Sequence, residues 1–158
     1  MNEKKLSIVF PIYNEEKSIK KIILEWKNEL DLFKIDYEII LAEDGSYDNT
    51  KNILFELIND DKNKIYLNNI VEKKRGYAGA LLSSVKIANG EFILCIDSDG
   101  QCNPKNFINF WNKKEFISEG IIIGNRKTRS DTLFRLIMSK LFLFIHRILF
   151  NSKIKDPS

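Results

Sequence analysis

The sequence predicts an α/β fold, a mainly parallel sheet covered by helices on both faces. Short apolar runs alternate along the chain with stretches of helical spacing, the pattern of strand–helix–strand units. Three of the runs end in polar residues, Pro11-Ile12-Tyr13-Asn14-Glu15, Glu43-Asp44-Gly45-Ser46 and Asp97-Ser98-Asp99. A right-handed parallel arrangement brings such ends to one edge, where open α/β sheets bind ligands. With 158 residues, 44% hydrophobic and 30% charged, the chain can bury one domain's core and has an ordinary globular composition. No repeat or low-complexity tract interrupts it.

Each element has a local reason. Leu6-Ser7-Ile8-Val9-Phe10 is a short apolar strand stopped by Pro11, and Asn14 is placed to cap a helix whose Ile19, Ile22, Ile23, Trp26 and Leu30 share one face. Residues 37–42 form a second strand, followed from about Asp48 by a helix with Ile53, Leu54, Leu57 and Ile58 on one side. Residues 64–67 are a weaker third strand, and a polar loop, 68–76, leads to a third helix around 78–88. Residues 91–96 read as a buried strand, a short helix follows Pro104, and Ile121-Ile122-Ile123 is a last strand ending in Gly124-Asn125-Arg126.

The fourth strand carries the chemistry. It stops at two carboxylates one residue apart, Asp97 and Asp99, followed by Gly100 and Gln101. Adjacent carboxylates repel unless a cation lies between them, and Mg2+ or Mn2+ held by one or two carboxylates completes its shell with waters and substrate phosphates. A solvated Asp-Ser-Asp-Gly turn is the other reading of the same residues. After the second strand, Asp44 is placed to hydrogen-bond a ribose or a base edge, or else to cap the next helix, a task for which Asp48 is better placed. Pro11 and Tyr13 could wall a base or simply shape a turn. In Lys73-Lys74-Arg75-Gly76-Tyr77-Ala78-Gly79-Ala80, cations precede glycines that open a helix, which suits a phosphate-bearing ligand; a solvated basic loop is the alternative.

Charge is unevenly spread. From Gly120 onward eight Lys and Arg face two acids, a net of +6, while residues 1–119 carry −3. A basic tail on a mildly acidic body suits an anionic membrane surface or a phosphate; nucleic acid fits less well, because these cations sit in an apolar helix. In the segment 131–150, Asp131, Thr132, Arg135, Ser139, Lys140, His146 and Arg147 fall on one half of a helical wheel. Leu133, Phe134, Ile137, Met138, Leu141, Phe144, Ile145, Ile148 and Leu149 fall on the other. Three cations make it a poor bilayer span, so it is expected to lie in a membrane interface or to cover the sheet. His146, the only histidine, is expected to be a surface residue. Cys95 and Cys102 give no disulfide framework and point to a reducing, cytoplasmic setting, and the N-terminus, running straight into a strand, is expected to carry no signal peptide.

Taken in order, Ser7-Ile8-Val9-Phe10-Pro11-Ile12-Tyr13-Asn14-Glu15, Glu43-Asp44-Gly45-Ser46-x-Asp48-x-Thr50 and Asp97-Ser98-Asp99-Gly100-Gln101 resemble the successive signatures of family-two inverting glycosyltransferases. Arg75-Gly76-Tyr77-Ala78-Gly79-Ala80, Ile123-Gly124-Asn125-Arg126 and the amphipathic stretch running to Asp156-Pro157-Ser158 make the chain look most like the dolichyl-phosphate mannose synthase and polyprenyl-phosphate sugar transferase group. The resemblance implies the GT-A fold, a Rossmann-like nucleotide-binding sheet flanked by helices. It implies a catalytic domain over residues 1–130, with 131–158 an incomplete start of the acceptor region. It also implies roles: Pro11, Tyr13, Glu15, Asp44 and Asp97 toward the nucleotide, Asp97, Asp99 and Gln101 toward the metal, and Arg126 on phosphate. Two departures stand out. The usual pair of acids before the glycine is Glu43-Asp44, and the chain stops at Ser158 where the family continues, so it is expected to be a fragment.

The activity expected is transfer of a sugar, with inversion, from a nucleotide-diphosphate sugar to a polyprenyl phosphate at the cytoplasmic face of a membrane. A phosphate acceptor is already ionised near neutral pH, so it needs orientation, by Arg126 and Arg129 with Arg75 and Gly76 on phosphate, more than a base. A sugar hydroxyl acceptor would need one, and Asp99 is the candidate. A haloacid-dehalogenase-type phosphotransferase is disfavoured because its Asp-x-Asp motif belongs on the first strand. A non-catalytic nucleotide-sugar or membrane-binding module is the reading from a different class.

Overall fold

A computed structural model describes residues 6–68, 74–113 and 133–150. The chain divides into two compact units, Met1–Asn112 and Lys113–Ser158. In the first, strands β1 (Leu6–Ile12), β2 (Tyr37–Glu43), β3 (Ile65–Leu67) and β4 (Phe92–Cys95) form one parallel sheet in the order β3-β2-β1-β4. Helices α1 (Ile19–Leu32), α2 (Thr50–Asp60) and α3 (Tyr77–Val85) lie between successive strands, and a 3-10 turn (Pro104–Asn106) and α4 (Ile108–Trp111) follow β4. The chain steps outward from β1 to β3 and then returns to set β4 on the far side of β1. Such a reversal opens a crevice at the carboxyl ends of the strands.

Every residue of β1 and β2 is buried, as strands covered on both faces must be. Their alternation divides two cores. Leu6, Ile8, Phe10, Ile12, Ile39 and Leu41 pack with α1 and α2, while Val9, Ile40 and Ala42 pack with Ala80 of α3. The helical spacing in the sequence is borne out: Ile19, Ile22, Ile23, Trp26 and Leu30 are all buried in α1, and Leu54 and Leu57 in α2. Trp26 meets Phe10 edge-on at 6.2 Å and lies tilted on Phe107 at 5.7 Å, tying the segment after β4 to α1.

Three local expectations change. β1 runs through Pro11 to Ile12, because pairing with β4 ends at Val9 and Cys95 and the missing proline donor faces the side where that ladder has stopped. Asn14 does not cap α1; it takes a left-handed conformation (φ 57°) between β1 and α1, and the residue before the helix is Ser18. β4 is half-exposed rather than buried, with Ile93 43% exposed, since α3 covers the face of β1 and β2 and no described element covers that face of β4.

The amino edge of the sheet is sealed by a polar cluster. Glu38, 3% exposed, accepts from Ser7 Oγ at 2.6 Å and from the Asn89 amide at 2.7 Å, both at Oε1. The Gly90 amide then donates to Ser7 Oγ at 2.8 Å. Glycine is required there: a Cβ would stand 2.4 Å from the Ser7 nitrogen.

In the second unit the described residues are one helix, α5 (Leu133–Phe150). Ile137, Met138, Leu141, Phe144, Ile145 and Ile148 are all exposed on it. Among the described residues no helix is long and apolar enough to cross a membrane. The strand expected at 121–123, with Arg126 and Arg129 after it, lies outside the described residues.

Candidate active site

The carboxyl ends of β1, β2 and β4 meet a single short piece of chain, residues 74–77. From β2, Asp44 is 3% exposed and its carboxylate accepts from two successive amides, Arg75 at 2.7 Å and Gly76 at 2.9 Å. These amides stand at the start of α3, where donors lack helical partners and a negative charge is favoured. Gly76 has φ 83°, a left-handed conformation that carries the chain from that carboxylate into the helix. From β1, the ring of Tyr13 lies under the Lys74 ammonium, 3.5 Å from its centroid, and meets Tyr47 edge-on at 6.2 Å. From β4, Asp97 Oδ1 accepts the phenolic O–H of Tyr77 at 2.8 Å. Partial burial, followed by that hydrogen bond and the negative charge of Asp97, pushes the Tyr77 phenol up to about 12.

The acidic turn after β4 is pinned by the residue between its two acids. Ser98, 7% exposed, donates through Oγ to the Pro11 carbonyl at 2.8 Å, so the turn is fastened to β1. Asp97 is partly exposed and Asp99 exposed. Asp99 Oδ1 accepts the Gln101 amide at 2.9 Å, with Gly100 between them at φ 76°. Among the described residues, no donor reaches Oδ2 of either acid. Nor do the described residues hold a cluster of three or more His, Cys, Asp or Glu able to cage a metal. Two one-sided carboxylates fit a magnesium- or manganese-type ion that would take its remaining ligands from water and phosphate.

The other sequence-derived candidates divide. Pro11 is buried within β1, and its carbonyl is already bonded by Ser98. Glu15 gives its amide to Thr50 Oγ1 at 2.8 Å and accepts Ser18 Oγ on its carboxylate at 2.5 Å, so its side chain braces the start of α1. Glu43 is fully buried and accepts the Ser46 amide through Oε1, while Oε2 has no partner among the described residues. Arg75 and Gly76 are at the site, but their amides serve Asp44 instead of an incoming phosphate. What they leave for phosphate is the side chain of Arg75, with that of Lys74. Asp48 is not the cap of α2, since Asn49 is the residue before the helix; from one position earlier Asp48 accepts the Thr50 amide at 3.0 Å. Lys73, Arg126 and Arg129 fall outside the described residues. Two contributors were not singled out from the sequence: Ser98, whose signal was a hydroxyl between two acids, and Tyr77, an aromatic beside a turn glycine with no periodic signal at all.

The model of the family described as glycosyl transferase family 2 matches residues 7–157. The chain belongs to that family. The three polar strand ends read from the sequence come to one place in space, the crevice around residues 74–77. Among similar proteins is the undecaprenyl-phosphate 4-deoxy-4-formamido-L-arabinose transferase of Proteus mirabilis (strain HI4320). It is 30% identical over 139 residues, which cover 87% of this chain and 41% of that protein. The family-two chain thus spans about two-fifths of such a relative's length. Solved structures share the fold. S. aureus TarS 1–349 in complex with UDP-GlcNAc aligns with a TM-score of 0.59 at 23% identity, over 78% of this chain and 38% of that one. Glucosyl-3-phosphoglycerate synthase from Mycobacterium tuberculosis, in complex with Mn2+, UDP and phosphoglyceric acid, aligns with a TM-score of 0.64 at 22% identity, over 98% and 53%. The GT-A expectation, a parallel nucleotide-binding-type sheet flanked by helices, is thereby met.

Proposed function

We propose that this chain is the donor-binding and catalytic part of a transferase that moves a sugar, with inversion, from a nucleotide-diphosphate sugar to a polyprenyl phosphate. The observation that carries the reading is the convergence of Tyr13, Asp44 and Asp97, from three separate strand ends, on residues 74–77. The relative named above, an undecaprenyl-phosphate sugar transferase, supports the acceptor class. In this reading Tyr13 walls the nucleoside, with Pro11 and Glu15 behind it, and Asp44, whose two oxygens take the Arg75 and Gly76 amides, holds residues 74–77 in place beside it. Asp97 and Asp99, with Gln101, hold Mg2+ or Mn2+, an ion that offsets charge on the departing diphosphate. The side chains of Lys74 and Arg75 neutralise phosphate, and Arg126 and Arg129 orient the acceptor. Because the attacking phosphate oxygen is already ionised, positioning replaces general-base catalysis.

The exposed apolar side of α5, with Lys140 beside it, suits an interface rich in anionic lipid on the cytoplasmic face of a membrane, where a polyprenyl phosphate resides. The test is to incubate the chain with Mn2+, a panel of nucleotide sugars and undecaprenyl phosphate in anionic vesicles, then extract the lipid. A lipid-linked sugar is expected with one donor. Tight donor binding with neither transfer nor hydrolysis would make the chain a binding module. Flotation with the same vesicles tests α5: protein staying at the bottom of the gradient would refute the membrane assignment.

A further inference from the structure

Asp44 and Asp97 follow strands that are not neighbours, since β1 lies between β2 and β4. At the usual strand spacing their ends stand about 10 Å apart. Residues 75–77 cross that gap. At one side Asp44 grips the amides of Arg75 and Gly76, and at the other Tyr77 donates to Asp97 Oδ1 at 2.8 Å. The helix behind Tyr77 is well anchored: Ala80 is fully buried against Val9, Ile40 and Ala42, and Asn68 Nδ2 donates to Ser84 Oγ at 2.7 Å. Tyr77 itself is 57% exposed, so its ring adds little to the core, and its hydroxyl serves Asp97.

We propose that Tyr77 is a positioning residue of the transfer reaction: it fixes the Asp97 carboxylate through Oδ1, so that Oδ2 would be left for the divalent ion that accompanies the donor. This rests on the reading of Asp97 as a metal ligand. A carboxylate held by one hydrogen bond gives up less rotational freedom on binding an ion, and carboxylate ligands in metal sites are commonly oriented by such outer partners. The bridge also links the two sides of the crevice: the amides that fix Asp44 fix the residue that aims Asp97.

The experiment measures binding of Mn2+ to the full chain in the presence of inorganic pyrophosphate, by calorimetry and by the Mn2+ spin-resonance signal. The wild type, Tyr77→Phe, Asp97→Asn and the double variant are compared. The phenylalanine variant loses one exposed oxygen and is expected to keep the wild-type urea midpoint. Its Mn2+ affinity is expected to fall about 10–100-fold, the usual consequence of removing an outer partner. In the Asp97→Asn background the same change is expected to add less than about twofold, because the group it aims is gone; a purely structural role would add equally in both backgrounds. Tyr77→Phe binding within about twofold of wild type, with Asp97→Asn impaired, overturns the role of Tyr77 and leaves the transferase reading standing. Wild-type affinity in Asp97→Asn overturns both.

Discussion

The two edges of the sheet each bury a carboxylate against main-chain amides, yet only one of them keeps anything in reserve. At the amino edge, Glu38 takes the Ser7 hydroxyl and the Asn89 amide, and the Gly90 amide closes the cluster on Ser7. At the carboxyl edge Asp44 is satisfied in the same way by Arg75 and Gly76. Beside it, however, Asp97 and Asp99 engage the described residues through one oxygen each. A saturated polar cluster fixes the chain and specifies register, whereas half-used acids at a strand end can take a ligand.

Five substitutions would break or sharpen that contrast. The largest is expected from Gly90→Ala, whose Cβ would fall 2.4 Å from the Ser7 nitrogen and 2.7 Å from the Leu6 carbonyl carbon. Neither atom is the end of a flexible side chain, so the stability loss in urea should be about 3 kcal/mol or more. A loss below about 1 kcal/mol would mean the amino edge is loose. Next is Asp97→Asn, expected to weaken Mn2+-supported binding of a nucleotide diphosphate about 100-fold while leaving the urea midpoint in place. A midpoint that falls in step with binding would make Asp97 part of the scaffold.

Glu38→Gln and Asp44→Asn form a matched pair. Asp44→Asn sets a donor against a backbone N–H whichever way its amide turns, because each Asp44 oxygen takes one amide, costing about 1–3 kcal/mol of stability. Glu38→Gln keeps Oε1 for the Ser7 hydroxyl and the Asn89 amide. Its new donor turns toward the Asn89 side-chain nitrogen, 3.4 Å from Oε2, so its cost should be smaller. Only the Asp44 variant should also lose donor affinity, and equal binding by the two would erase the distinction between the edges. The smallest effect concerns Asp31, which is linked to neither edge cluster. Against the burial that would raise it, hydrogen bonds from Lys27, Lys64 and Tyr37 hold its carboxyl down at about 2, below the ordinary 3.8. Its contribution is therefore complete above pH 4 and fades as pH falls toward 2. Asp31→Asn should lower stability slightly at pH 6 and flatten the loss of stability between pH 4 and 2; an unchanged acid limb would show that its ion pairs add nothing.

The sequence was most legible where a signal repeats. The face of α1 from Ile19 to Leu30 and the alternation of strands and helices carried the fold, because burial imposes a period that a single chain displays. The polar strand ends were legible for a related reason, since a run of apolar residues stopping at acids marks where chain leaves a core. Pairings between distant residues were not. Nothing near Tyr77 announces Asp97, and nothing near Asn14 shows that its Oδ1 will accept the Tyr47 amide at 3.0 Å instead of capping α1. Glu38 did leave a trace, a charged residue inside the otherwise apolar 39–42 run's leading edge, which in a strand buried on both faces demands a partner. The half-exposure of β4 was hidden because an apolar run reports that a strand can be buried, not which neighbours will cover it.

The placement of β4 beside β1 has a consequence for how the molecule is made. Ser7 and Gly90, which lock these strands together, are 83 residues apart. A ribosome adding 5–20 residues per second needs roughly 4–17 s to supply that interval. Through those seconds the flank of β1 from Leu6 to Val9 has no strand beside it, an open edge to which another chain could pair. Among the described strands, the crevice beside β4 is thus the last part of the sheet to come into being, and the interval before it forms leaves β1 open to misassembly.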